Sequence, residues 1–277
     1  MVSGSTTYSG SNAWQSGMIK VSGGQLAYHR TGGTKPPLVL SHGLTDNGLC
    51  WSRLARELEA DFDIVMLDAR GHGDSSRIPT DDDNYQGRDI VEAIQELELH
   101  FPFVMGHSVG AIAAALLAAE CPQLAAKVIL EDPPFVPETE AALRSKRREK
   151  FRQQVAEFQT ITDAEITEMG MKLSPSWHMD EFPAWTLGKR QVDPEAMPLS
   201  FPPWRSTVAA IKCPTLLIYG EPKLGGIVTD EIANEAMALN PKIKATAITG
   251  AGHNIRRENF QAFVSEVRNF LTCTPHS

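Results

Sequence analysis

The feature that most constrains the fold is a regular alternation of short apolar runs with longer amphipathic segments, which begins at Met18. Short apolar runs separated by helical patterns are typical of parallel strands, which are buried on both faces and joined by helices. The sequence therefore predicts an α/β fold with a mainly parallel central sheet flanked by helices. The predicted strands are an opening hairpin at 18–21 and 25–30, followed by 38–41, 62–67, 101–105, 128–130, 215–219 and 245–248. Helices are predicted around Leu54 and Leu58, over 111–120 and over 259–271.

The predicted organisation is a core with one insertion and a short leading tail. Residues 1–17 are rich in Ser, Gly, Thr and Asn and lack the basic start and apolar stretch of a signal peptide, so we expect a frayed tail. The alternation resumes on both sides of a break, which assigns 18–134 and 206–277 to the core. Residues 135–205 are expected to form an inserted helical cap.

The proposed cap begins with a charged, helix-forming segment at 144–150, which is interpreted as a solvated helix face. It continues into a stretch rich in aromatic residues and methionine, too apolar for a simple surface loop. We expect its underside to cover a site, with Trp177 and Trp185 as candidate substrate-binding residues. The alternative is that these side chains pack only against each other.

Composition excludes several classes of function. The chain has 277 residues, and 26 lysines and arginines against 34 acids give a net charge of −8, whereas phosphate binding needs a basic surface. The longest apolar run, 111–119, is too short to cross a bilayer. The four cysteines form no CxxC pair, and no HExxH motif is present. We therefore expect a soluble, cytoplasmic protein that binds neither nucleic acid nor membrane and needs no metal or organic cofactor.

A candidate nucleophile lies in the pentapeptide Gly106-His107-Ser108-Val109-Gly110, which matches G-x-S-x-G between a predicted strand and a predicted helix. The glycines permit a sharp turn that exposes the Ser108 hydroxyl. The helix that follows directs its positive end, and the backbone N–H of Val109, towards a developing negative charge. The alternative is a plain glycine turn.

A serine hydroxyl needs a base near neutral pH, and His253 is the best candidate. It lies in the glycine-flanked loop Gly250-Ala251-Gly252-His253, directly after the last predicted strand. His42 and His72 occur in strand-end turns, and His107 is fixed beside the serine. His178 falls in the cap, and the other histidines have no supporting context. The alternative for His253 is a purely structural role.

These motifs, in this order, resemble those of capped α/β-hydrolases, and the resemblance covers residues 18–271. It rests on Ser41-His42-Gly43-Leu44 after the third strand, Arg70-Gly71-His72-Gly73-Asp74-Ser75 after the fourth, the serine pentapeptide and the His253 loop. The resemblance implies a serine–histidine–acid triad with an acyl-enzyme, and an oxyanion hole formed by the backbone N–H groups of Leu44 and Val109. The Arg70 turn is interpreted as structural.

The acid of the triad departs from the usual pattern of this family. The expected slot after strand 215–219 holds Lys223, with Glu221 nearby and Asp230 farther along. Some relatives place the acid after the preceding strand, where this chain has Glu131 and Asp132. Adjacent strand residues point to opposite faces, so these two cannot both reach one imidazole. We rank Asp132 first, Glu221 second and Glu131 third.

The resulting hypothesis is a serine hydrolase that cleaves ester or lactone bonds of small, partly apolar substrates through Ser108, His253 and Asp132. C–C bond hydrolysis, amide hydrolysis and perhydrolysis use the same scaffold and remain alternatives. Ser108 argues against epoxide hydrolases and haloalkane dehalogenases, which need an aspartate in its place. A hypothesis of another class is a slow-turnover ligand receptor on the hydrolase scaffold.

Overall fold

The computed structural model describes residues 14–78, 85–136, 141–198 and 200–273. Its centre is an eight-stranded sheet of order β1-β2-β4-β3-β5-β6-β7-β8. The strands are β1 (Gln15–Val21), β2 (Gly24–Arg30), β3 (Pro37–Ser41), β4 (Asp63–Leu67), β5 (Phe103–His107), β6 (Lys127–Glu131), β7 (Thr215–Tyr219) and β8 (Ile243–Ala247). All pairs from β4 to β8 are parallel, so the predicted fold class is confirmed.

The two antiparallel strands are the predicted opening hairpin. β1 and β2 pair from Gln15 opposite Arg30 to Val21 opposite Gly24, and β2 then pairs with β4. β1 therefore begins inside the range 1–17 that the sequence assigned to a tail. The polar start of this strand carries no apolar signal, and it is ordered by its ladder with β2. Residues 1–13 lie outside the described residues.

Helices cover both faces of the sheet and fill the insertion. They are α1 (Ser52–Leu58), α2 (Tyr85–Glu96), α3 (Val109–Glu120), α4 (Ala141–Thr160), α5 (Asp163–Leu173), α6 (Phe182–Gln191), α7 (Trp204–Ala210), α8 (Asp230–Leu239), α9 (Ile255–Glu258) and α10 (Phe260–Thr272). None of the helices in the described ranges is long and apolar enough to span a membrane.

The strand side chains alternate between two apolar layers. Val39, Val65 and Val104 pack on one face with residues of α2, α3, α7 and α8. Leu38 and Met66 are examples from the opposite face, which packs against α1 and α10. Full burial of such a side chain contributes roughly 1.5–3 kcal/mol, so the two layers fix the sheet and the ends of its strands.

The insertion between β6 and β7 contributes a third, smaller apolar cluster. Phe151 and Val155 of α4 pack with Val192 and Ala196, and Leu44 of the core packs against this group. The insertion thus contacts the core at the loop that follows β3, through α4 and the segment after α6. The helix α7 packs instead on α3 and α8, so from Trp204 onward the chain is part of the core.

Candidate active site

Ser108 occupies a strained turn between β5 and α3. Its φ of 54° and ψ of −120° lie in a region that residues with side chains rarely adopt. The turn is closed by contacts that only glycine permits, since a Cβ on Gly106 would lie 2.1 Å from the Gly110 oxygen. The Ser108 amide donates to the Glu131 carbonyl oxygen at 2.9 Å, which fixes the turn to β6.

His253 and Asp132 form a pair at the carboxyl edge of the sheet, where Asp132 follows β6 and His253 follows β8. His253 Nδ1 lies 2.6 Å from Asp132 Oδ2. Asp132 is fully buried, has a φ of 41°, and also accepts the backbone N–H groups of Ile227 and Val228. A carboxylate at this distance makes Nδ1 the proton donor and leaves Nε2 of the neutral ring as an acceptor.

Ser108 lies in the same part of the molecule as this pair, because Ser108 and Asp132 follow β5 and β6, two adjacent parallel strands. The His253 carbonyl oxygen lies 3.0 Å from Nε2 of His107, the residue before the serine, and the two rings have centroids 4.7 Å apart. Within the described ranges, Ser108 Oγ has no hydrogen-bond partner. Contacts between a nucleophile and its base are often long until substrate binds.

The other two candidate acids point elsewhere. Glu131 accepts the Arg256 backbone N–H at 2.9 Å and lies 3.1 Å from the Arg256 guanidinium. Glu221 accepts the Gly250 N–H at 2.6 Å and pairs with Lys223. Asp132 is therefore the acid that the structure brings to His253, and Glu131 occupies the opposite face as the strand alternation requires.

Two buried histidines hold the loop that contains Leu44. His72 Nε2 accepts the Thr45 N–H at 3.3 Å, and His42 Nε2 accepts the Ala69 N–H at 2.9 Å. Burial, with a smaller contribution from His42, lowers the pKa of His72 to about 3, and burial also lowers the pKa of His42. Both rings are therefore neutral and can accept hydrogen bonds. No hydrogen bond between described residues uses the N–H of Leu44 or of Val109.

The insertion binds the same loop through Lys189 of α6. Its buried ammonium donates to the Thr45 carbonyl oxygen at 2.9 Å and to Thr45 Oγ1 at 2.7 Å. Thr45 has a φ of 66°, which is unfavourable for a β-branched residue, so these bonds stabilise a strained conformation. A Cβ on the neighbouring Gly188 would lie 2.9 Å from the same oxygen.

A buried ionic cluster lies beneath the loop and was not anticipated from the sequence. Asp46 binds Arg256 at 3.0 Å and Arg257 at 3.1 Å, and Arg257 also contacts Glu181 at 3.3 Å. Burial alone would raise the pKa of Asp46, but the charges of Arg257, Lys189 and Arg256 lower it. Removing one partner of such a cluster costs about 3–5 kcal/mol. The arginine pair directly after the His253 loop was the available signal.

A cavity of about 660 Å³ lies beside the loop and the serine turn. Its lining includes Leu44 and Val109, whose backbone N–H groups are the predicted oxyanion donors. The remaining lining is mostly apolar and includes three arginines: Val136, Arg144, Arg147, Met197, Pro198, Ser200, Phe201, Pro202, Pro203, Trp204 and Arg205.

Trp177 and Trp185 are not on this lining, and their contact with substrate stays a prediction. They form an aromatic group with Phe182, with ring centroids 5.9 to 6.5 Å apart. The guanidinium of Arg257 lies 4.6 Å from the Trp177 ring. These tryptophans attach the insertion to the buried ionic cluster, whereas Phe201 and Trp204 supply the aromatic surface of the cavity.

No group of three metal-ligating side chains occurs in the ranges that the structure describes. None of the four cysteines, all of them described residues, forms a disulfide; Cys50 and Cys213 are buried, Cys121 is half-buried and Cys273 is exposed.

Comparison with known proteins agrees with the fold and with these motifs. Residues 38–266 match the model of the alpha/beta hydrolase family. The chain therefore belongs to the alpha/beta hydrolase family, and it is a hydrolase.

Two relatives and one solved structure are distant in sequence but cover most of this chain. The pimeloyl-[acyl-carrier protein] methyl ester esterase of Vibrio parahaemolyticus is 24% identical over 86% of this chain and 95% of its own length. The N-formylmaleamate deformylase of Pseudomonas putida is 25% identical over 92% and 96%, respectively. The crystal structure of E-2-(acetamidomethylene)succinate hydrolase superposes with a TM-score of 0.77 at 18% identity and covers 94% of this chain and all of that one.

Proposed function

We propose that the protein is a serine hydrolase that cleaves carboxylic ester or lactone bonds through Ser108, His253 and Asp132. The observation that carries the proposal is the 2.6 Å contact between His253 Nδ1 and Asp132 Oδ2, at the strand ends next to the strained Ser108 turn. A buried carboxylate that orients an imidazole next to a serine on a tight turn is the arrangement that activates a hydroxyl nucleophile.

The reaction follows from these groups in two steps. His253 Nε2 takes the Ser108 proton as Oγ attacks the carbonyl carbon, and Asp132 stabilises the imidazolium. The oxyanion receives the N–H groups of Leu44 and Val109, and each such donor lowers the barrier by roughly 3 kcal/mol. His253 then returns the proton to the leaving alcohol. Water deprotonated by His253 hydrolyses the acyl-enzyme and regenerates the serine.

The cavity supports substrates that are small and partly apolar. Its lining combines Phe201, Trp204 and Met197 with the two proposed oxyanion donors, so an apolar acyl or ring group can lie against the aromatic wall while its carbonyl faces Leu44 and Val109. The Vibrio relative is named as an esterase, which favours ester bonds.

A second candidate is hydrolysis of an amide bond with the same three residues. The Pseudomonas relative is named N-formylmaleamate deformylase, and removal of an N-formyl group breaks a C–N bond. The two activities differ in the leaving group that His253 must protonate, so matched ester and anilide substrates distinguish them.

The test is a burst experiment with a p-nitrophenyl ester and intact-mass detection of the acyl-enzyme. We expect wild type to release nitrophenolate and to gain the mass of one acyl group. Ser108→Ala should do neither, while Ser145→Ala, an exposed serine of α4, should behave as wild type. Equal activity of wild type and Ser108→Ala across esters, lactones and anilides would reject the proposal.

A further inference from the structure

The cavity has a charge opposite to that of the chain as a whole. The protein carries a net charge of −8, yet the described residues that line the cavity include three arginines and no aspartate or glutamate. Random placement of side chains on an acidic protein would favour the reverse. A concave surface with one sign of charge concentrates ligands of the other sign.

Two of these arginines come from one face of α4. Arg144 and Arg147 are three residues apart, so their side chains lie next to each other on the helix. Both line the cavity. The insertion therefore presents a pair of guanidinium groups towards the space beside the proposed oxyanion donors.

Arg147 is the arginine that is available to a ligand. It forms no ion pair or hydrogen bond with any described residue. The next residue of the helix differs in this respect, since Arg148 forms an ion pair with Glu195 at 2.9 Å. Arg205, the third arginine of the lining, is held by Glu235 at 2.5 and 2.8 Å. Arg148 and Arg205 each have a carboxylate partner, whereas Arg147 has none among the described residues. Arg147 is therefore the position where an external anion fits.

The residues that line the cavity differ in their exposure to solvent. Val109 is only 8% exposed, whereas Arg147 of α4 is exposed. Apolar side chains, among them Phe201 and Trp204, complete the lining. A ligand that fills the cavity therefore meets hydrogen-bond donors at Val109, where the lining is buried, apolar side chains beside them, and a positive charge at Arg147, where the lining is exposed.

We propose that the substrate is an ester whose acyl chain ends in an anionic oxyacid group, and that Arg147, assisted by Arg144, binds this terminal anion. The inference rests on the proposed function, because it places the scissile carbonyl beside Leu44 and Val109. The planar fork of an arginine matches a carboxylate or a phosphate, whose oxygens can accept two parallel hydrogen bonds. The apolar wall fits the methylene chain between the two ends.

The test compares p-nitrophenyl esters that share a leaving group and chain length: hydrogen adipate, with a terminal carboxylate, hexanoate, with a methyl end, and 6-phosphonooxyhexanoate, with a terminal phosphate. We expect wild type to prefer one anionic ester over hexanoate in kcat/KM by about tenfold or more, the value of one charge-assisted hydrogen bond. The larger preference identifies the anion as carboxylate or phosphate. It should decrease at high ionic strength, because the site is open to solvent.

The variants assign the preference to α4. Arg147→Gln should raise KM for the preferred anionic ester about tenfold and leave hexanoate unchanged. Arg147→Lys should retain part of the preference. Lys146→Gln is the matched control, since it removes one exposed positive charge from the same helix but does not line the cavity. No preference for either anionic ester in wild type, or a preference that survives in Arg147→Gln, would overturn the inference.

A binding measurement separates this inference from the proposed function. Calorimetric titration of Ser108→Ala with monomethyl adipate and methyl hexanoate measures anion recognition without turnover. Tighter binding of the adipate ester that is lost in the Ser108→Ala/Arg147→Gln double variant supports the anion site even if no ester is hydrolysed. Equal binding of the two esters would reject the anion site for a carboxylate while the turnover assay still reports on the hydrolase.

Discussion

Replacement of Asp132 by asparagine gives the sharpest test of the proposed triad. The two carboxylate oxygens of Asp132 receive the N–H groups of Ile227 and Val228 and the Nδ1–H of His253. An asparagine has one acceptor oxygen, so its NH2 group must face either the backbone donors or the imidazole. If the NH2 group faced the two backbone N–H groups, these buried donors would lack an acceptor, which costs about 1–3 kcal/mol.

The favoured arrangement therefore turns the asparagine oxygen to the backbone and its NH2 to His253. The imidazole must then accept at Nδ1 and carry its proton on Nε2, where it cannot take a proton from Ser108. A wrong tautomer of this kind lowers kcat by about 10⁴-fold in serine hydrolases. We expect Asp132→Asn to show this loss in a p-nitrophenyl ester assay, with a melting temperature close to that of wild type.

Glu221→Gln is the control, because Glu221 binds Gly250 and Lys223 rather than the histidine. Its kcat should stay within about threefold of wild type, since only exposed partners are lost. If Asp132→Asn kept most of its activity and Glu221→Gln lost it, the acid would belong to the later strand and the proposed triad would be wrong.

Three further perturbations test other parts of the structure. His72 is neutral in the folded protein, but its ring binds a proton below about pH 6.5 in the unfolded chain. The free energy of unfolding should therefore decrease as the pH is lowered from 6.5 to about 3. The loss from His72 alone is about 2 kcal/mol at pH 5, and His72→Gln should flatten this slope in urea titrations; an unchanged slope contradicts the assignment. Gly188→Ala should lower kcat at least about tenfold by displacing Thr45, and a wild-type kcat would show that the loop tolerates the added methyl group. Trp177→Ala should lower the free energy of unfolding by about 3 kcal/mol without changing the order of preferred esters. Unchanged stability with an altered order of esters would instead indicate that Trp177 contacts substrate.

The sheet could be predicted because its parallel strands are almost entirely apolar. Strands β3 to β7 coincide with the predicted runs to within about two residues, as expected for boundaries read from pattern alone. β1 was predicted to begin later because Gln15 and Ser16 are polar and are ordered only by pairing with β2. The helices α2 and α8 were not predicted, since their apolar faces are narrow and packing against α3 and α7 stabilises them.

The candidate site was predictable where a local motif sets the geometry. Ser108 and His253 each follow a strand in a glycine-flanked turn, and strand alternation separates Asp132 from Glu131. The supporting contacts could not be obtained in this way, because Lys189 and Thr45 are distant in sequence and meet only when α6 docks. The charged segment of α4 is mostly exposed, as predicted, but that Arg144 and Arg147 line the cavity is a tertiary property that the sequence does not show.

The bond between Lys189 and Thr45 has a consequence for how enzymes of this shape can be recombined. A chimera that replaced the whole segment between β6 and β7 with that of a relative would discard the ammonium that holds the residue after Leu44. Such a hybrid would gain a new cavity lining, but Thr45, next to the proposed oxyanion donor Leu44, would no longer be held by Lys189. Grafts confined to α4, which leave α6 in place, can exchange selectivity while keeping the catalytic scaffold intact.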